Sequence, residues 1–425
     1  MTEDTREGDS DLPGVEDLKS LTPQNSWLLS LLGLFTGIGG AMVMPLRSVF
    51  LVTVLQTPLP IVGLIIGIAE CSAIILGLVS GRLARRPGSR KPIPLLGYVV
   101  SNAVRPLLSL VASWPVAFPL LFLDRAGKGF RSGPRDSLLA ASVSSDGARK
   151  ASNFYRTTRV LAASIGSLFA AAILFWTVRD IGAVFAWTLV PGALAILIVL
   201  ILVVRKVVGR GQTEPVEPSI ATGSDGGLLP WANLGVRFWM FTGIATLFAL
   251  GNSADDFLFL RTAALEQSLF VVPLVFLAYN LAIAALLNQV GRLSARWGRL
   301  PLLISGYGVF AMVYAGWALA NQAWNTWLLF VIYGIYTGAT EGIARALVLD
   351  LVPSSKRWIA LAWFGGLTGL AVIPSNILAG WLWVAGGPSA TFWFGAFMAV
   401  IAVTLLLAWL PWLRRGFPSS RIDTA

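Results

Sequence analysis

The chain has 425 residues, 56% of them apolar and only 12% charged, with a formal net charge of +11 and no histidine. A soluble domain carries roughly twice that charged fraction, so the residues for the water-facing surfaces of a chain this long are missing. Without histidine there are no imidazole metal sites or histidine proton relays, and the single cysteine, Cys71, allows neither an intrachain disulfide nor a cysteine-rich metal site.

Residues 1–26 are polar and acidic, with Glu3, Asp4, Glu7, Asp9, Asp11, Glu16 and Asp17. They lack the basic start and apolar stretch of a secretory signal, and read as a cytoplasmic N-terminal tail. Apolar runs of about 20 residues then recur, each long enough to cross a hydrocarbon core, and mean hydropathy is +0.74. They predict an all-α membrane protein of about twelve transmembrane helices in two pseudo-symmetric six-helix bundles. The spans are placed at 27–56, 60–82, 92–112, 115–143, 152–177 and 181–204, then 237–261, 269–292, 300–320, 324–352, 357–382 and 389–413. The first bundle is 27–204, a cytoplasmic linker is 205–236, the second bundle is 237–413, and 414–425 is a cytoplasmic tail.

Alternate connections are basic: Arg82, Arg85, Arg86, Arg90 and Lys91; Arg149 and Lys150; Arg205, Lys206 and Arg210; Arg292, Arg296 and Arg299; Lys356 and Arg357. The opposite set is nearly bare. Basic residues are retained in the cytoplasm, which places both termini there, in the inner membrane. Because the positive charge is spread over these short connections, not gathered in a patch, nucleic acid is not an expected partner. The expected partners are a small-molecule substrate and membrane lipid, the expected state is a monomer, and no cofactor is called for. Cys71, inside an apolar run, reads as a small core residue.

Residues 209–230 are rich in Gly, Pro and Ser and suit a flexible linker. Each half carries the same turn after its second span. Gly81, Arg82, Leu83, Ala84, Arg85, Arg86 matches Gly291, Arg292, Leu293, Ser294, Ala295, Arg296, about 210 residues later, and Gly88 or Gly298 follows. That is an internal duplication, and parallel repeats are one known transporter plan.

Ionisable residues deep in the spans carry the functional signal, since each costs at least about 2.5–3.5 kcal/mol at a helix centre unless it meets protein or a wet cavity. The fourth span reads Asp124, Arg125, Ala126, Gly127, Lys128, Gly129, Phe130, Arg131, Ser132, Gly133, Pro134, Arg135, Asp136. Helical spacing predicts Asp124, Lys128, Arg131 and Arg135 on one face over about 17 Å. The tenth span holds Glu341, Arg345 and Asp350. Glu341 precedes Arg345 as Arg131 precedes Arg135, so the duplication puts Arg131 and Glu341 in equivalent places. The seventh span adds Asn252, Asp255, Asp256 and Arg261; the first adds Arg47, the second Glu70 and the third Arg105. Glu70, Arg105 and Asp350 read as static ion pairs. The fourth-span charges, with Asn252, Asp255, Asp256, Glu341 and Arg345, are the expected substrate-binding or coupling residues. Gly127, Gly129 and Gly133, and the ladder Gly334, Gly338 and Gly342, read first as close-packing positions and second as hinges.

At these residues the sequence resembles the major facilitator superfamily, and within it bacterial permeases with DRxGKGxRxxPRDxL in the fourth helix, here Asp124 to Leu138. Further matches are Gly67 to Glu70 (GIAE), Arg105 to Leu108 (RPLL), Gly251-Asn252-Ser253, and Thr340 to Pro353 (TEGxxRALVxDLVP). The resemblance implies a central cavity lined by the first, fourth, seventh and tenth helices, with access alternating as the halves rock. It also implies that the glycine-basic turns, with Gly81, Arg82, Arg86, Gly291, Arg292 and Arg296, act in gating. The family's gate aspartate is replaced here by Arg85 and Ala295, a fifth-helix acid by Arg159, and the antiporter-type Gly-Pro by Gly166-Ser167.

The leading expectation is secondary transport of a small polar or charged organic solute. No P-loop sequence supplies ATP energy, so coupling by protons falls to Asp124, Asp136, Asp255, Asp256 or Glu341, with Glu341 exchanging arginine partners. The positive excess of the fourth span favours an anionic or zwitterionic substrate. Drug or metabolite efflux is the alternative within transport, and a non-transporting lipid-handling or assembly factor the alternative outside it. With no histidine and one cysteine the chain offers no enzyme constellation.

Overall fold

The computed structural model describes residues 23–83, 92–141, 146–204, 234–266, 268–340 and 342–414. Helices follow the apolar runs. The first span is Pro23–Val43, a turn at 44–46, then Arg47–Val49 running into a π-helical turn, Phe50–Val54. The second is Leu59–Leu83, the third Pro92–Leu107, the fourth Trp114–Ala141 and the fifth Asp146–Trp176. Ile181–Trp187 and Leu189–Val204 form the sixth, and Val236–Gly251 and Asp255–Leu265 the seventh. The eighth is Val271–Trp297, the ninth Arg299–Leu319, and the tenth is split into Ala323–Thr340 and Ile343–Leu351. The eleventh and twelfth lie in one run, Arg357–Arg414, turned where Gly387 adopts φ 76° just before Pro388.

Among the described residues, eight helical stretches are long and apolar enough to cross a membrane by themselves. The last of them contains the eleventh and twelfth spans end to end. Three spans fall short for visible reasons. The fourth carries too many charges, the seventh is broken in mid-course, and the eighth gives a shorter apolar stretch, Val271–Leu286, among the described residues. The outer surface is apolar: Leu110, Trp176, Leu189 and Phe397 are all exposed. That is a liability in water and the requirement in lipid.

The first helix packs on the fifth and sixth, and the fourth on the second and third. In the other half the eighth packs on the tenth, while the seventh and ninth pack on the Arg357–Arg414 run. The halves meet where the second span lies along the eleventh and the fifth along the eighth. Small residues allow these approaches. A Cβ added at Gly127 would stand 2.7 Å from the Gly97 carbonyl oxygen, and one at Gly129 would stand 2.7 Å from that of Ala73. The fourth helix thus lies close against the third and second through its glycines, as the packing reading expects. Gly334 does the same against the Tyr279 carbonyl of the eighth span.

Three spans expected as single helices leave helical geometry in mid-course, whereas in the sixth Thr188 stays right-handed helical at φ −63°, ψ −14°. In the first, Pro45 has no N–H to donate, and the chain turns at 44–46. In the seventh, residues 252–254 leave helical geometry, with Asn252 at φ −89°, ψ 79°. In the tenth, Gly342 is left-handed at φ 89°, a conformation that β-carbons disfavour. Gly334 and Gly338 therefore pack against the eighth span, whereas Gly342 starts a new helix and meets nothing.

Candidate functional site

The interruptions of the first and seventh spans, related by the duplication, bring their charges face to face. Beyond the first break, Arg47 is 3% exposed. Its Nε donates to Asp256 Oδ1 at 2.7 Å and its Nη2 to Asp256 Oδ2 at 2.5 Å, a two-point pair across the two halves. The same Nη2 donates to Glu70 Oε1 of the second span at 2.7 Å. Ser48 Oγ donates to the Asp256 carbonyl at 3.0 Å. Asp255 and Asp256 occupy the first turn of Asp255–Leu265, where unpaired backbone N–H groups favour negative charge. The Ala254 N–H, freed by the break, donates to Asn376 Oδ1 of the eleventh span at 2.9 Å.

The fourth helix adds its charges about 15 Å along from Trp114, near mid-membrane. Arg125 Nε stands 3.3 Å from Glu70 Oε1 and 3.8 Å from Asp124 Oδ2. Asp124 Oδ1 accepts from Arg105 Nε at 2.8 Å, and Arg105 Nη1 donates to the Thr36 carbonyl at 2.7 Å. Arg105, Asp124 and Arg125 are buried and Glu70 is partly so, and partnership is what makes such burial tolerable.

The predicted charged stripe divides. Asp124 and Arg131, seven residues apart, turn toward the third span; Arg131 lies over the Tyr98 ring at 5.0 Å. Arg125 and Lys128 turn toward the junction of the halves. Lys128 shares its face with Ala117, Leu121 and Arg125, all buried, while Val116 and Leu123 mark the outward face. Yet Lys128 itself is exposed. Its exposure is therefore to an internal space, within electrostatic range of Glu70, Arg125, Arg47 and Arg159. Among the described residues it makes no salt bridge.

On the opposite wall Asp255 Oδ1 accepts from the Tyr333 hydroxyl at 2.8 Å. Tyr333 belongs to an aromatic group of the second half, with Tyr279 at 5.5 Å and Tyr336 at 5.6 Å between ring centroids. Asn252 lies half-buried in the seventh-span break. Arg345 is exposed on Ile343–Leu351, and Asp350 pairs with Arg299 at 2.5 Å, well away from the junction. Arg135 and Asp136 continue the fourth helix. Gly81 is buried at the end of the second helix, Gly291 and Arg292 lie in the eighth, Arg82 lies in the second, and Arg296 is exposed in the eighth helix's last turn. Glu341, Arg86 and residues 205–233 of the expected linker lie outside the described residues. The sequence reading did not select Arg47, Tyr333 or Asn376 for the site. The one available signal was the repeat: Arg47 and the Asp255–Asp256 pair follow equivalent breaks. A groove of about 640 Å³ between the third and sixth spans, walled by Pro106, Leu107, Leu110, Leu189 and Leu197, holds none of these charges.

Two sets of helices in an apolar envelope, joined over an ionic cluster, make a multi-pass membrane protein with related halves. The Major Facilitator Superfamily matches residues 29–357 and again 262–423, so the chain belongs to that family, whose members are transporters and not enzymes. An uncharacterized MFS-type transporter of Methanocaldococcus jannaschii is 28% identical over 390 residues, covering 90% of this chain and 94% of that one. The class B tetracycline resistance protein of Escherichia coli is 28% identical over 136 residues, 30% of this chain and 33% of that protein. A crystal structure of a POT family transporter in complex with a thioalcohol-conjugated peptide superposes with a TM-score of 0.69 at 13% identity, covering 92% of this chain and 97% of that one.

Proposed function

We propose that the protein is a secondary active transporter that moves a small polar or charged organic solute across the inner membrane by alternating access, coupled to protons. The observation that carries this reading is the ionic cluster of Arg47, Glu70, Arg125 and Asp256 at the junction of the halves, beside the internally exposed Lys128. Such groups are costly in a membrane unless they border a wet chamber.

Asp255 is the proton carrier in this proposal. Glu70, Asp124 and Asp256 each hold an arginine, whereas Asp255 has, among the described residues, only the Tyr333 hydroxyl. It lies within electrostatic range of Asp256, Glu70 and Arg47, at the edge of the ionic cluster. Glu341, by its repeat relation to Arg131, is the second carboxylate of the proposal. In proteoliposomes, Asp255→Asn abolishes accumulation driven by a pH gradient, while solute exchange persists only at concentrations high enough to offset any loss of binding. Uphill accumulation with unchanged pH dependence in Asp255→Asn and in Glu341→Gln would falsify proton coupling through these groups.

The motif in the fourth helix supports a place in the permease subfamily marked by DRxGKGxRxxPRDxL. The basic connections support cytoplasmic termini, with residues 205–236 as the linker between the halves of a monomer. Drug or metabolite efflux is the second reading, favoured by the local similarity to the tetracycline resistance protein. Flux of labelled organic anions against cationic dyes in inverted vesicles separates the two.

A further inference from the structure

The cluster leaves one charge unmatched on each side of the junction, and the pair points to the chemistry of the solute. This inference rests on the transport reading above. Arg47 is matched by Asp256 and Glu70, Arg105 by Asp124, and Arg125 by Glu70. Among the described residues, that leaves Lys128 in the first half and Asp255 in the second without a salt bridge. Both lie within electrostatic range of Arg47 and Glu70, so they border the same cluster from its two sides.

We infer that the site takes a zwitterion, its anionic group on Lys128 of the fourth span and its cationic group on Asp255 of the seventh. A singly charged anion would satisfy Lys128 but leave Asp255 beside Asp256 and Glu70 with no cation added. A singly charged cation would satisfy Asp255 but enter a space already occupied by Lys128, Arg125 and Arg159. A zwitterion meets both walls and adds no net charge to a cluster whose burial depends on matched pairs. The Tyr333 hydroxyl holds Asp255 Oδ1, which leaves Oδ2 for the ligand's N–H donors. Because the two anchors belong to different halves, a ligand carrying both charges ties the halves together, and a ligand carrying one does not.

The test uses the purified full-length protein and sets of three probes built on one scaffold. Each set holds a free amino acid or dipeptide, its N-acetyl form with only the anion, and its methyl ester with only the cation. Thermal melting is read in the presence of each. The expected result is a rise in melting temperature with the zwitterion of at least one set and with neither single-charge form. Lys128→Gln and Asp255→Asn each weaken that binding about tenfold or more. Lys128→Arg retains it, which separates loss of the charge from loss of the fold. The inference is overturned by three results: single-charge forms that bind as well as the zwitterion, undiminished zwitterion binding in either neutral variant, or no response to any zwitterion at millimolar concentration. Zwitterion binding without vesicle flux counts against the transport reading alone. Flux of a singly charged solute counts against this inference alone.

Discussion

At the scale of single residues, the Arg47–Asp256 pair shows how a charge becomes tolerable inside an apolar molecule. Asp256 is 1% exposed, and its two oxygens are taken by two nitrogens of one guanidinium. Removing the arginine leaves that carboxylate buried with no cation of its own, a loss of about 3–5 kcal/mol where such pairs have been broken. Arg47→Ala therefore lowers the melting temperature more than the double variant Arg47→Ala, Asp256→Ala, which removes both charges together. Arg47→Lys falls between, because an ammonium cannot reproduce the two-point contact. Asp256→Ala completes the cycle, and a loss in the double variant equal to the sum of the two single losses would show that the pair is not coupled. Arg105 and Asp124 form a second pair, wholly within the first half, and belong to its packing.

At the scale of elements, the fourth helix is a packing surface first, because its glycines admit backbone from two sides. A Cβ at Gly127 would also stand 2.4 Å from Ser101 Oγ, in addition to meeting Gly97. Gly127→Val overpacks this contact and costs about 1–3 kcal/mol, read as a lower melting temperature; Gly243→Ala, where nothing stands within 4 Å, is the control that stays near the parent. The span positions were legible in the sequence because hydrophobic length is a coarse and robust signal. The interruptions were not. Apolarity continues across residues 44–46, the polar residues around 252–254 and 342 sit inside longer apolar runs, and a hydropathy reading cannot see a broken backbone. Pro45 and Gly342 carried the local chemistry of a break, yet prolines and glycines inside membrane helices are common enough to conceal it. Helical spacing put Asp124 and Lys128 on one face, but four residues span about 40° more than a full turn, and tertiary partners resolved them to different neighbours. Glu70 read as a static ion pair; its position between Arg47 and Arg125 required the third dimension.

At the scale of the whole molecule, the two halves have divided the work that duplication gave to both. The first supplies most of the charges, and the second supplies an aromatic wall around Tyr333 with Asp255 and Asp256 at its front. The halves touch along the second and eleventh spans from Leu59, against Gly380, to Leu78, against Gly365. They touch again where Phe175 of the fifth span meets Phe270 before the eighth, with ring centroids 5.8 Å apart. If access alternates by rocking of the halves, these contacts must part in turn, and a covalent tie at either must stop the cycle. Cys71 is the single native cysteine, so Cys71→Ser gives a background in which paired cysteines report alone. In that background, a short bifunctional thiol reagent across Phe175→Cys and Phe270→Cys, or across Leu78→Cys and Gly365→Cys, should abolish solute flux, while each single-cysteine variant treated alike keeps it. A cleavable reagent should restore flux on reduction. Full flux through protein cross-linked at both positions would mean that the halves do not rock about this junction, and the ionic cluster between them would then be a fixed seam and not a moving one.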